Sequence, residues 1–94
     1  MDDKIEQIAM NYTFAQQRNV FAEECAEAIQ AAMKLSRAGT AEDFTKATDA
    51  LISEVADVLI MAQQMRFFLG GERVDAEIER KVERQLKRIE EEKV

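Results

Sequence analysis

Ninety-four residues with a net charge of −6 suffice for one domain, 1–94, that buries roughly 60–65% of the surface its unfolded chain exposes. The acidic balance argues against a nucleic-acid polymer as main partner. The absence of histidine excludes His-based catalysis and His-ligated zinc or iron, and Cys25 has no second cysteine to pair with.

No basic-then-apolar leader is visible, nor any apolar run near the ~20 residues of a membrane span. A soluble, cytoplasmic protein that engages no membrane is expected. Proline is absent, and Gly39, Gly70 and Gly71 are the only glycines. That predicts an all-α chain with few helix breaks. Asp2 to about Met10 reads as a short leading helix with Ile5, Ile8 and Ala9 on one side. Thr13 and Gln16 have the form of a capping box, so a long helix is expected from there to about Ala38. Gly39 is placed to end it in a left-handed cap. Thr40, with Glu42 and Asp43 in the next turn, opens a third helix to Leu69. Gly70 and Gly71 stop it, and a fourth runs from about Glu72 to Glu92. Short connections make neighbours antiparallel, hence an antiparallel helical bundle.

On a wheel of the second helix, Gln17, Val20, Phe21, Glu24, Glu27, Ala28, Ala31 and Leu35 share one stripe. Glu23 falls with Gln16, Gln30 and Lys34 on the solvated side. On the third helix the stripe is Ala47, Ala50, Leu51, Glu54, Asp57, Val58, Met61, Met65 and Phe68. Ile52, Val55, Leu59 and Ala62 lie round its side, more apolar surface than one small domain covers, so the core is expected to be completed by oligomerisation.

Glutamates are ordinarily good helix formers on a wet surface, and with 19 acidic residues a single Glu-x-x-Glu pair means little. Two pairs, each centred on an apolar stripe of a different helix, mean more. Burying unpaired carboxylates is costly, and neither stripe carries a lysine or arginine. A divalent cation is the economical partner, and all-oxygen ligands suit Mg²⁺, with Mn²⁺ as a substitute. The candidate ligands are Glu24, Glu27, Glu54 and Asp57. Carboxylate-bridged di-iron bundles use Glu-x-x-His, which this chain lacks.

Glu24-x-x-Glu27, then 26 residues, then Glu54-x-x-Asp57 resembles the signature of the MazG-like, all-α nucleoside triphosphate pyrophosphohydrolases. The strings EECAEAIQAAMKLSR (Glu23 to Arg37) and SEVADVLIMAQQM (Ser53 to Met65) resemble the two core helices of that family. KVERQLKRI (Lys81 to Ile89) resembles its trailing basic segment. The resemblance spans roughly Thr13 to Ile89. It implies a homodimer or dimer of dimers, Mg²⁺ between the two long helices, and hydrolysis of a (deoxy)nucleoside triphosphate to the monophosphate and pyrophosphate. Gln17 sits where relatives often carry a glutamine beside the substrate. Glu24 and Glu27 are both eligible to orient or deprotonate the attacking water.

Lys81, Arg84 and Arg88 share the border of the fourth helix's apolar face (Val74, Ile78, Val82, Leu86 and Ile89). They fit either a solvated basic edge or triphosphate binding. The resemblance favours Lys81 and Arg88. Tyr12, Phe14, Phe21, Phe44, Phe67 and Phe68 read as core or as a stacking surface for a base. Phosphoribosyl-ATP hydrolysis is the rival within the enzyme class. A non-enzymatic helical assembly module is the rival outside it.

Overall fold

Four helices account for nearly all of residues 3–93, the part of the chain described by this computed structural model. They are α1 (Asp3–Ala9), α2 (Phe14–Ser36), α3 (Ala41–Leu69) and α4 (Gly71–Glu92), and the described residues include no strand. Asp2, the expected start of α1, lies outside them. No described helix is long and apolar enough to cross a membrane.

The helix ends show what holds them. The Thr13 hydroxyl accepts the Gln16 amide at 3.1 Å, and the Gln16 side chain accepts the Thr13 amide at 2.9 Å, so the capping box forms. The Thr40 hydroxyl accepts the Asp43 amide at 3.0 Å. The end of α2 departs from expectation. The helix stops at Ser36, and the amides of Arg37 and Ala38 tighten onto the carbonyls of Lys34 and Leu35. Such short-span bonds satisfy the last carbonyls, so Gly39 makes no left-handed cap.

Gly70 does adopt a positive φ, +106°, and turns the chain sharply between α3 and α4. At this elbow the Arg66 guanidinium clamps Asp75 with two parallel hydrogen bonds, Nε to Oδ1 at 2.9 Å. It passes so close to Gly71 that a Cβ there would stand 2.9 Å from its Cζ. The neighbouring guanidinium holds the Asp75 carboxyl below its usual range.

The body of the protein is the α2–α3 antiparallel pair, with α1 laid across α3. Its small core contains Ala9, Ala31, Met61 and Met65, together with two buried glutamines, Gln17 and Gln64. α4 packs substantially only against α3, and every residue from Asp75 to Lys93 is exposed. Of the apolar stripe foreseen on α4, Val74 is half-buried at the elbow, while Ile78, Val82, Leu86 and Ile89 are exposed. The chain is accordingly extended, 44 × 43 × 20 Å with a radius of gyration of 16.8 Å, against about 12 Å for a compact chain of this length.

Candidate metal centre

The α2–α3 register decides which side chains meet. The Gln17 amide donates to Gln64 Oε1 at 2.7 Å inside the core, and Gln64 donates in turn to the Met61 sulfur at 3.5 Å. Seven residues further along α2, and seven back along α3, Glu24 meets Asp57. Three more in the same directions, Glu27 meets Glu54. A step of seven residues is almost two full turns and three is almost one, so both pairs stay on the facing stripes. Ligand oxygens of Glu24, Glu27 and Glu54 lie within 4.8 Å of one another.

The sequence-predicted ligands therefore come together, in a setting wetter than a fully buried site. Glu24, Glu54 and Asp57 are half-buried, and Glu27 is exposed. Glu27 lies roughly 60° round the helix from Glu24 and thus at the border of the stripe. Glu24 Oε2 and Glu54 Oε2 are each buried with no hydrogen-bond partner. Partial burial first, then the charges of Glu27, Asp57 and Glu54, raise the Glu24 carboxyl above the ordinary 4.5. Burial, then Glu27 and Asp57, does the same to Glu54. All the charges acting on these two are negative.

An all-carboxylate donor set, two orphaned buried oxygens and this spacing fit a hard divalent cation.

These shifts carry a sign. A carboxyl whose folded value is raised keeps its proton on folding. Between 4.5 and the raised value the folded chain therefore binds more protons than the unfolded one, and stability falls as pH rises through that window. Compared with a Glu24→Gln/Glu54→Gln variant, the metal-free protein should lose Tm as pH rises above 4.5. Thermal melts by circular dichroism across a pH series check this; parallel pH profiles would show that folding leaves both carboxyls unshifted.

Other predicted residues lie elsewhere. Gln17 is spent on Gln64, and its burial makes it a core residue that fixes the register. Lys81 borders a hollow at the elbow with Leu69, Arg73, Val74 and Ile78, in which none of the four carboxylates takes part. Arg84 and Arg88 lie further out on α4, so one chain does not bring this basic edge to the carboxylates. Glu77 is instead taken by Arg80, at 2.8 and 3.2 Å. Phe68 meets Phe67 edge-on at 5.5 Å and Phe14 at a tilt at 5.7 Å between ring centres. Phe21 is half-buried, whereas Tyr12 and Phe44 are exposed.

Sequence reasoning missed Lys34, assigned to the solvated side, which shares a hollow with Glu27 and Glu54. The signal was present: Lys34 is seven residues after Glu27 and so lies almost directly above it. No known protein family, no curated protein and no solved structure matches the chain.

Proposed function

We propose that this protein is a Mg²⁺-dependent, MazG-like pyrophosphohydrolase that cleaves nucleoside triphosphates to the monophosphate and pyrophosphate, working as a homodimer or dimer of dimers. The observation that carries the reading is the convergence of Glu24, Glu27, Glu54 and Asp57, with two buried oxygens lacking any donor. Like charges held together with no ion pair among them, and with Lys34 bordering only one side, make sense where a cation and a polyanion meet.

A bound cation there would neutralise charge on the phosphate oxygens and acidify a water. Glu24, Glu54 and Asp57, the deeper members, hold it. Glu27, the exposed member, is best placed to orient water arriving from solvent, with Glu24 behind it as the other candidate base. Attack breaks the bond between the α-phosphorus and its bridging oxygen, and pyrophosphate leaves. The exposed apolar stripe of α4 and the uncovered Ile52, Val55 and Leu59 on α3 support assembly with a second copy. In such an assembly Lys81, Arg84 and Arg88 serve triphosphate bound by a neighbour.

A panel of ribo- and deoxynucleoside triphosphates and phosphoribosyl-ATP, scored for pyrophosphate release with Mg²⁺ or Mn²⁺, tests the reading. Release from triphosphates is expected, and turnover confined to phosphoribosyl-ATP would assign the rival reaction. No release from any of them, together with no heat on titrating MgCl₂ and a non-hydrolysable triphosphate, would leave the helical assembly module.

A further inference from the structure

The α2–α3 groove continues past the carboxylates toward the connection between the two helices, and its charge reverses on the way. One hollow of about 320 Å³ has Glu27, Glu54 and Lys34 in its walls. The next, about 370 Å³, has Lys34, Arg37 and Lys46, with Asp43 as its one acidic member. Lys34, Ala47 and Ala50 belong to both walls, so the hollows adjoin along the groove. The alanines keep this stretch open, because longer side chains at 47 and 50 would fill it. Among the described residues neither Lys34 nor Arg37 is tied up in an ion pair, and the Lys46–Glu42 pair at 3.2 Å is exposed at both ends. Such a surface pair contributes little and opens readily.

From the hydrolase reading above, on which this step rests, we infer a polarity for the substrate. The triphosphate lies lengthwise in the groove with its terminal phosphate toward the α2–α3 connection, bound there by Lys34, Arg37 and Lys46. The acidic end tolerates phosphate only through a cation, whereas the basic end takes it directly, with arginine able to offer two parallel donors. The nucleoside then points the other way, toward the α1 end. This three-residue subsite separates a triphosphate, which is long enough to span both ends, from shorter phosphates.

Isothermal titration with inorganic tripolyphosphate and with pyrophosphate, each with MgCl₂, tests the inference on the wild type and on a Lys34→Gln/Arg37→Gln/Lys46→Gln variant. All three side chains are exposed, so the variant folds, which its helical content verifies. The variant should bind tripolyphosphate about tenfold or more weakly, with pyrophosphate affected by less than about threefold. Equal losses for both anions, or no loss, overturn the subsite and leave the hydrolase reading standing. A wild type that binds neither anion overturns both.

Discussion

Replacing Glu54 by glutamine is expected to lower Mg²⁺-dependent pyrophosphate release by about 10³-fold or more without loss of helical content. Glu54 is half-buried, its Oε2 has no donor, and Glu27 and Asp57 both press negative charge on it. A glutamine fills the same space and supplies an N–H where acceptors now face one another. The metal-free variant should therefore melt at a higher temperature than the wild type, while added MgCl₂ should no longer raise its Tm. This opposite movement of stability and activity separates a lost ligand from a damaged fold. Turnover retained near the wild-type rate would remove Glu54 from the site.

The second large effect concerns α4. Ile78 and Val82 are 53% and 49% exposed, on the same stripe as Leu86 and Ile89. Burying such side chains contributes about 1.5–3 kcal/mol each. An Ile78→Asp/Val82→Asp variant should thus weaken self-association by about 10² to 10⁴-fold. Sedimentation velocity should find the wild type dimeric or larger and the variant monomeric at micromolar concentration. A wild type that sediments as a monomer would refute assembly through this face, as would a variant of unchanged mass.

Much of the local structure was legible because it rests on local chemistry. Thr13 with Gln16 and Thr40 before acidic residues mark helix starts through hydrogen bonds spanning three positions. The two stripes of α2 and α3 carried the four carboxylates for the same reason, since angular position follows from spacing alone. Gly39 misled because α2 ends in short-span bonds made by Arg37 and Ala38, which any residue can form. What stayed hidden depends on how elements meet. The partnership of Gln17 with Gln64 needs the register of two helices 47 positions apart at that point. Exposure of Glu27 depends on how far the facing helix covers the edge of a stripe. The direction of α4 is set by one backbone angle at Gly70 and the Arg66–Asp75 clamp, so Lys81, Arg84 and Arg88 leave the body of their own chain.

That projecting arm has a dynamic consequence. From Asp75 onward every residue of α4 is exposed, so this stretch resembles an isolated peptide, whose helix is only marginally stable in water. Amide exchange and limited proteolysis should therefore find α4 the first region to open on dilution, while the α2–α3 pair stays protected. Order in this arm becomes a function of how many copies of the protein are present, and so does any activity that needs its basic edge.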